Sequence, residues 1–459
     1  MKPENVLKSL IWLYVALLLL EGALRKWALP FLSDQLLIVR DPVVVLIYVL
    51  ALAQGRLPLN GWVVTIGILA AASLVGSLLA GQDNLLITLY GLRTNYLHLP
   101  LVWVIAATFT RRDVENLGKA ILLFAIPMTL LMVAQFYSPP RSWINKGVGL
   151  DDEGMGQLYG ALGHIRPPGF FAFITGPQLF FPLAMAFLCH EVIAKRRLWM
   201  PLLVASGVAI LVAMPISISR TAALATGFVA VLFLPCLALT KRMGAGLLRI
   251  VVISALVLGA ASYLPVFDEG REAFLSRWET AAGPEGEGVD VGGILDRLFG
   301  GWDYLAAVAS STSLFGSGIG MGSNVAARLS TGRLGFMLAE NEWAKCLLEL
   351  GLPLALAFLG LRFALALSLL KRALASLFRG RDPLPLLLLS ACATAIVFGQ
   401  WAPPTILGFA ILGAGLCLAS CHDTPDTEEE TADEETPEED ETDPAADDES
   451  PEENETSTR

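Results

Sequence analysis

Residues 61–80 read GWVVTIGILAAASLVGSLLA, a run of twenty residues without a charged side chain. About 20 mostly apolar residues in a helix span the hydrocarbon core of a bilayer, and a helix satisfies every backbone hydrogen bond within its own segment. Similar runs recur from Leu7 to Leu418 in a chain of 459 residues that is 54% hydrophobic and 16% charged. With a mean hydropathy of +0.60, this composition argues against a water-soluble domain and predicts an all-α polytopic membrane protein.

The apolar runs predict about twelve transmembrane helices. Only a very short turn, at 401–404, separates the last two predicted helices. The predicted spans are residues 6–24, 36–53, 61–80, 95–110, 115–137, 170–190, 198–216, 219–239, 247–264, 342–370, 384–400 and 402–420.

Positive charges test this division, because Lys and Arg concentrate in the connections that stay in the cytoplasm. Every second connection carries most of them, whereas the short alternate connections carry only Arg25, Lys26, Arg93 and Arg220. The pattern predicts that both termini are cytoplasmic. The residues on the cytoplasmic side would be Lys2, Lys8, Arg56, Arg111, Arg112, Lys119, Lys195, Arg196, Arg197, Lys241, Arg242, Arg249, Lys371, Arg372, Arg379 and Arg381.

Two connections are long, at about residues 138–169 and 265–341, and both fall on the outer side in this topology. The second is the large extracytoplasmic loop between helices 9 and 10. In it, the apolar residues of 294–305 follow helical spacing, which predicts a helix on the outer membrane surface. Long loops in compact proteins are usually functional or disordered, so function is expected there.

The C-terminal residues 421–459 differ sharply from the rest of the chain. Residues 423–459 hold 19 acidic residues and one arginine, a charge of −18, which leaves +7 for the remainder of a chain whose net charge is −11. So acidic and apolar-poor a segment cannot bury enough surface to offset its ordering entropy. The sequence therefore predicts a transmembrane domain at 1–420 followed by a disordered, acidic cytoplasmic tail.

Chemistry on the outer face has to draw on a substrate that arrives already activated, since no ATP is present there. Lipid-diphosphate sugars meet this need, and a diphosphate leaving group favours arginine, whose planar guanidinium binds phosphate oxygens in pairs. The six cysteines lack the spacing of a zinc site or a disulfide framework. No metal, cofactor or nucleic-acid partner is predicted, and the oligomeric state is left open.

Four outer-side arginines are candidate substrate-binding residues, each with a structural alternative. Arg93 precedes an apolar span and either contacts a phosphate or extends to the membrane surface. In Arg166-Pro-Pro-Gly169, the two prolines restrict the backbone and would fix the direction of the Arg166 guanidinium. An ordinary loop-to-helix turn explains the motif equally well. Arg220 sits between two closely spaced spans with Ser219 beside it, where an ionisable residue suggests function. Arg277 either binds the diphosphate or pairs with Glu279.

An acceptor hydroxyl also needs a base as it attacks the anomeric carbon. Glu340 and Glu342, on either side of Asn341, are the candidates, because burial beside apolar residues can raise a carboxyl pKa towards neutrality. The alternative is an acidic helix start favoured by the helix dipole. His98 and His164 are further candidates, although a single histidine near a loop end is commonly a surface residue.

Two other patterns have simpler explanations. Gly316-Ser-Gly-Ile-Gly-Met-Gly322 resembles a phosphate-binding loop but lacks the strand and helix context, so a flexible turn is expected, with close approach to a sugar as the alternative. In Arg40-Asp41-Pro42, Asp41 suits a helix cap and Pro42 a first helical turn.

The order of these motifs resembles that of the O-antigen ligase and Wzy-type polymerase superfamily of bacterial membrane glycosyltransferases, over residues 1 to about 420. The motifs that carry the resemblance are Glu21-Gly-Ala-Leu-Arg-Lys-Trp27, Arg93 with its Pro100 span, Arg166-Pro-Pro-Gly169, Ser217-x-Ser-Arg220, Phe315-Gly-x-Gly-x-Gly320, and Glu340-Asn341 leading to Glu349-x-Gly351.

This resemblance implies an undecaprenyl-diphosphate glycan donor, inversion at the anomeric carbon, no metal requirement and a site at the outer face of the bacterial inner membrane. Arg220 matches the family's arginine after Ser-x-Ser. Glu340 stands where ligases commonly have histidine before asparagine, a departure that favours a polymerase or exopolysaccharide ligase over a lipopolysaccharide ligase.

The sequence-based hypothesis is a glycosyltransferase that joins a lipid-linked oligosaccharide to a glycan or lipid acceptor, with Arg220 and Glu340 as catalytic residues. Arg93, Arg166, Arg277, Glu342, Ser219 and Asn341 would bind the substrate. The alternatives are a secondary transporter for a small anion or a lipid-linked intermediate, since charges between spans also mark translocation paths, and a membrane scaffold whose tail recruits a partner.

Overall fold

The computed structural model describes residues 3–148, 160–194, 198–239, 243–282, 302–332, 337–339 and 341–421. Within these residues all the regular elements are helices. The α-helices are α1 (Pro3–Ala23), α2 (Arg40–Ala53), α3 (Gly61–Leu79), α4 (Leu85–Leu92), α5 (Leu101–Thr108), α6 (Arg111–Tyr137), α7 (Thr175–Ile193), α8 (Met200–Ile216), α9 (Arg220–Leu239), α10 (Met243–Ser262), α11 (Pro265–Ala282), α12 (Trp302–Ser311), α13 (Asn324–Thr331), α14 (Glu342–Arg379), α15 (Leu384–Val397) and α16 (Pro404–Ser420).

Seven helical segments in the described residues are long and apolar enough to cross a membrane. Three shorter apolar helices accompany them, α8, α15 and α16. The protein is therefore an all-α membrane protein. The seven segments are Asn5–Ala28, Gln35–Ala53, Gly61–Leu79, Arg111–Tyr137, Thr175–Ile193, Arg220–Leu239 and Glu342–Arg379.

The helices divide into a buried centre and an apolar periphery. Nearly every side chain of α16 is buried, and this helix packs against α5, α7 and α15. Peripheral helices expose large apolar residues instead, such as Val49 on α2, Ile68 on α3 and Phe228 on α9. Outward-facing apolar side chains suit hydrocarbon, so these helices form the surface in contact with lipid.

Polar side chains begin several of the helices, as their first backbone N–H groups require. Asn60 Oδ1 accepts from Val63 N at 3.1 Å before α3, and Thr110 and Asp113 form a reciprocal capping box at the start of α6. Asn341 Oδ1 accepts from Trp343 N at 2.9 Å and from Ala344 N at 3.2 Å. Asn341 therefore fixes the start of α14.

The predicted span at 95–110 is wrong as a continuous helix. A single π-helical turn at Arg93–Leu97 is followed by Pro100, and the regular helix α5 begins only at Leu101. Proline lacks the N–H that a preceding turn needs, and it disfavours helical geometry in the residue before it. The end of α1 has a second π-helical turn, at Leu24–Ala28.

The large connection after α10 contains helices in each of its longer described parts, α11, α12 and α13. The predicted surface helix at 294–305 lies mostly outside the described residues, which resume at Trp302 with α12. The acidic tail also lies outside them, apart from Cys421.

Asp41 does not cap α2, contrary to the sequence-based interpretation. Val39 occupies the N-cap position, and the carboxylate of Asp41 instead accepts from Arg93 and approaches His98 Nε2 at 2.9 Å. A carboxylate in the first turn of an apolar helix gains more from a guanidinium than from capping.

Candidate functional site

Two arginines from distant parts of the sequence lie within electrostatic range of a third. Arg166 lies in the segment before α7, Arg220 is the first residue of α9, and Arg277 lies on α11. The charges of Arg277 and Arg220 both act on the Arg166 guanidinium. We call these three residues the arginine cluster.

Two observations show that the surroundings of Arg166 are unfavourable for its positive charge. Burial, together with the positive charges of Arg277 and Arg220, lowers the pKa of Arg166 from its ordinary value to about 10. Its Nε atom is buried and has no hydrogen-bond partner among the residues that the structure describes. The guanidinium stays charged at neutral pH, so the cluster is suited to receive an anion.

The turn that carries Arg166 is anchored on both sides of Gly169. Gln135 Oε1 accepts from the Gly169 N–H at 2.8 Å, and Gln135 Nε2 donates to the Gly169 carbonyl at 3.3 Å. Gly169 has a φ of +59°, a left-handed conformation that favours glycine, and a Cβ there would displace the flexible end of the Met128 side chain.

Lys26, in the π-helical turn after α1, also binds the segment that carries Arg166. Its Nζ donates to the carbonyls of Gly169 at 2.6 Å and Phe171 at 2.8 Å, and lies 4.3 Å from the centroid of the Trp27 ring. Buried carbonyl oxygens need such donors. Lys26 therefore fixes the position of the segment that follows Arg166.

Arg220 follows a strained residue. Ile218 is fully buried and has a φ of +46°, a conformation that β-branched residues rarely adopt. Its side chain packs against Gly160, where an added Cβ would lie 2.7 Å from Ile218 Cδ1. Strain of this kind persists where the surrounding structure fixes it, and it is concentrated at functional sites.

Ser219 holds the start of α9 and is fully buried. Its Oγ accepts from Ala222 N at 3.3 Å and from Gln178 Nε2 on α7 at 2.9 Å. Ser219, a predicted substrate-binding residue, is therefore bonded to Gln178 and to the first turn of α9, the helix that begins at Arg220.

Arg277 connects the outer loop to the same region. Its Nη1 donates to the carbonyl of Gly160 at 3.1 Å. Gly160 therefore lies between Arg277 on α11 and Ile218, two residues before the start of α9.

Arg93, the fourth predicted arginine, belongs to a separate buried network. It pairs with Asp41 through Nε and through Nη2 at 3.2 Å, and it also donates to the Leu37 carbonyl at 3.0 Å. The network extends through Asp41 to His98 Nε2 at 2.9 Å, and from His98 Nδ1 to Tyr14 Oη at 3.3 Å. Arg93 is therefore neutralised by an internal carboxylate.

The Glu342 carboxylate, like that of Asp41, pairs with side chains of the protein itself. Its carboxylate lies 2.9 Å from Arg362 Nη1 and 3.5 Å from Lys345 Nζ, with both members of the Glu342–Arg362 pair 1% exposed. Arg362 in addition donates to the carbonyls of Ile396 at 2.8 Å and Gly399 at 2.6 Å, at the end of α15. The pair therefore holds the helix break between α15 and α16.

Glu340, the predicted catalytic base, lies outside the described residues. Its neighbour Asn341 is exposed and serves as the N-cap of α14.

The glycine-rich stretch contacts the protein's own backbone. Ser317 N and Gly318 N donate to the carbonyls of Leu348 at 2.8 Å and Glu349 at 3.0 Å, and Gly322 N donates to the Glu349 carboxylate at 2.7 Å. Gly351 opposes this loop with a φ of +75° inside α14. The loop is therefore a fixed joint on a kinked helix, which the expectation of a flexible turn did not foresee.

Arg362 and Gln135 were not identified from the sequence, although one rule could have found the first. Arg362 lies inside the predicted span 342–370, and ionisable residues within spans are functional or structural by default. Gln135 gave no local signal, because its partner Gly169 is 34 residues away in the sequence.

Comparisons of the chain with protein-family models, with curated proteins and with solved structures find no match.

Proposed function

We propose that the protein transfers a glycan from an undecaprenyl-diphosphate-linked donor to an acceptor hydroxyl at the outer face of the bacterial inner membrane, by ligation or polymerisation of surface polysaccharide. The observation that carries this proposal is the arginine cluster, in which Arg166 is partly buried among like charges. A diphosphate is the kind of anion that such a cluster binds best.

The cluster supports this chemistry because charge develops on the leaving group. As the bond from the anomeric carbon to the diphosphate oxygen breaks, the leaving oxygen takes the bonding electrons. Guanidinium groups already held in place stabilise this charge without further reorganisation. The anchors of Arg166, namely Lys26 and Gln135, and the cap formed by Ser219 beside Arg220 provide that preorganisation.

The twelve-span topology, with both termini in the cytoplasm, is part of the proposal, and side-chain contacts support it. Groups assigned to the cytoplasmic side contact one another: Lys8 with Asp113 at 2.7 Å, and Arg111 with Asp382 at 2.6 Å. Groups assigned to the outer side do so as well. Lys26 contacts Gly169, and the Trp27 and Trp143 rings are 5.8 Å apart.

The transporter alternative draws support from a different observation. The partly buried Asp41–Arg93 pair and the buried Glu342–Arg362 pair both lie beside interruptions of helices, at the π-helical turn and at the break before α16. Broken helices with buried charges are also found at the substrate sites of transporters.

Complementation of a gene-deletion strain tests the proposal. Wild-type protein and Arg220→Ala are compared, and lipid-linked and surface glycans are separated by size. Arg271→Ala is the matched control, because Arg271 lies on α11, is 60% exposed and pairs only with nearby Asp268 among the described contacts.

Loss of long glycan and build-up of lipid-linked units with Arg220→Ala, at wild-type protein level, would support glycan transfer. An unchanged glycan profile in the deletion strain itself would favour the transporter. Removal of residues 423–459 is expected to leave transfer intact, whereas a scaffold that acts through the tail would fail.

A further inference from the structure

His164 lies in a tight turn that also contacts the arginine cluster. The His164 N–H donates to the Ala161 carbonyl at 3.0 Å, with positive φ values at Leu162 (+53°) and Gly163 (+81°). Two central residues of positive φ define a type I′ turn. Gly160 N donates to the His164 carbonyl at 2.9 Å, and the carbonyl of the same Gly160 accepts from Arg277.

The orientation of the His164 ring fixes its neutral tautomer. Nδ1 lies 2.9 Å from the Phe136 carbonyl oxygen, which can only accept, so Nδ1 carries the proton. The ring also stacks on Phe136, with centroids 3.9 Å apart and planes within 6°. Nε2 of the neutral ring therefore holds a lone pair, on a partly buried side chain that cannot easily rotate.

The other described histidines lack these properties. His98 is 1% exposed and uses both ring nitrogens, towards Tyr14 and Asp41. His190 lies 3.5 Å from Glu115, in the group of contacts assigned to the cytoplasmic side. Among described histidines, only His164 combines a fixed basic nitrogen with a position two residues from Arg166.

We propose that Nε2 of His164 is the general base that takes the proton of the acceptor hydroxyl, a role that the sequence assigned to Glu340. This inference rests on the proposed function. It places the base on the same short segment as Arg166, so one turn would serve both the attacking and the leaving group.

The step balances without a further reactant. The acceptor oxygen forms a bond to the anomeric carbon, and the bond from that carbon to the diphosphate oxygen breaks. The hydroxyl proton passes to His164 Nε2, which becomes an imidazolium, and the lipid diphosphate leaves with the bonding electrons. The imidazolium then loses its proton to water on the outer side.

The test uses His164→Asn in the full chain, expressed in the deletion strain. Asn can place its amide nitrogen close to the position of Nδ1 and keep the donation to Phe136, but it has no counterpart of the basic Nε2. A positioned general base contributes about 10²- to 10⁴-fold, so we expect the rate of long-glycan formation after induction to fall at least about 100-fold. Glu340→Gln, tested in parallel, decides between the two candidate bases.

A second measurement separates catalysis from structure. Purified full-length wild-type and His164→Asn proteins in detergent should show the same thermal stabilisation by inorganic pyrophosphate, because the arginines are intact. Imidazole added to cells that carry His164→Ala should restore part of the rate, which a purely structural role would not allow.

The outcomes distinguish this inference from the proposed function. A deletion strain with an unchanged glycan profile overturns both. A deletion strain that loses long glycan, together with His164→Asn at the wild-type rate, leaves glycan transfer in place and overturns the role of His164. Loss of transfer by Glu340→Gln with retention by His164→Asn returns the role to Glu340.

Discussion

Lys26 Nζ donates a 2.6 Å hydrogen bond to the Gly169 carbonyl, across 143 residues of sequence. The bond joins the end of the first helix to the turn that presents Arg166. Since the ammonium is 1% exposed, it is effectively part of the protein interior. The direction of Arg166 therefore depends on a residue in a different predicted connection, the one that follows the first span.

Lys26→Met should weaken anion binding although Lys26 is not in the arginine cluster. Removal of the ammonium leaves the Phe171 carbonyl without this donor and weakens the hold on Gly169, at a cost of about 1–3 kcal/mol. Displacement of Arg166 should lower pyrophosphate affinity by about tenfold or more. Thermal unfolding with a pyrophosphate titration measures both effects.

Lys8→Met is the control for this change, because Lys8 is also an α1 lysine but pairs with Asp113 in the other group of contacts. It should leave pyrophosphate affinity unchanged. Equal loss of affinity in both variants would mean that Lys26 does not act through Arg166.

Arg166→Gln should stabilise the protein in the absence of ligand. The pKa of Arg166 is lower in the folded protein than in an unfolded chain, so its positive charge opposes folding below about pH 10. This cost is full below about pH 10 and is lost as the pH rises from there towards the ordinary pKa of arginine. The variant should gain about 1 kcal/mol at neutral pH, after allowance for solvent screening.

The same variant should lose its response to pyrophosphate. Wild-type protein is expected to unfold at a higher temperature when pyrophosphate is added, because a ligand that binds only the folded state stabilises it. Arg166→Gln should show little such shift, whereas the control Arg271→Gln should behave like wild type. A lower unfolding temperature for Arg166→Gln without ligand would contradict the like-charge explanation.

Gly351→Ala should disrupt the joint between α14 and the glycine-rich loop. The residue has a φ of +75°, and an added Cβ would collide with the Leu314 carbonyl. Both effects are costly for any residue with a side chain. Gly360→Ala, in the same helix with no atom within 4 Å of the added Cβ, is the control and should be neutral or stabilising by up to about 1 kcal/mol. Protein yield and unfolding temperature measure the difference, and equal behaviour would contradict a rigid joint.

The apolar runs made the helical membrane character predictable, because hydrocarbon imposes the same length and composition on every span. Three of the four arginines chosen from the sequence lie together, and their role in binding remains a prediction. In the proposed topology all three belong to connections on the same side of the membrane, and such connections can meet. Arg93 lies elsewhere, since a side chain within a bundle takes the nearest carboxylate, here Asp41.

Pairings between distant residues could not be predicted. Local periodicity shows which face of a helix is apolar, but not which carbonyl Lys26 reaches, or that Gly316 and Gly351 meet. The π-helical turns were also hidden, because a single turn of different pitch scarcely changes the hydrophobic pattern. The tautomer of His164 depends on one carbonyl oxygen, from Phe136, and only coordinates reveal it.

A double-mutant cycle on Glu342 and Arg362 should decide whether Glu342 binds the acceptor or holds the fold. The pair is 2.9 Å apart and 1% exposed, so Glu342→Gln and Arg362→Met should each destabilise strongly, by about 3–5 kcal/mol for loss of a buried partner. If the pair acts as a unit, the double variant should be more stable than the sum of the two losses predicts, by about 0.5–3 kcal/mol. Unfolding temperatures of the four proteins measure this coupling. If Glu342→Gln instead kept the wild-type stability and lost glycan transfer, Glu342 would be the substrate-binding residue that the sequence predicted.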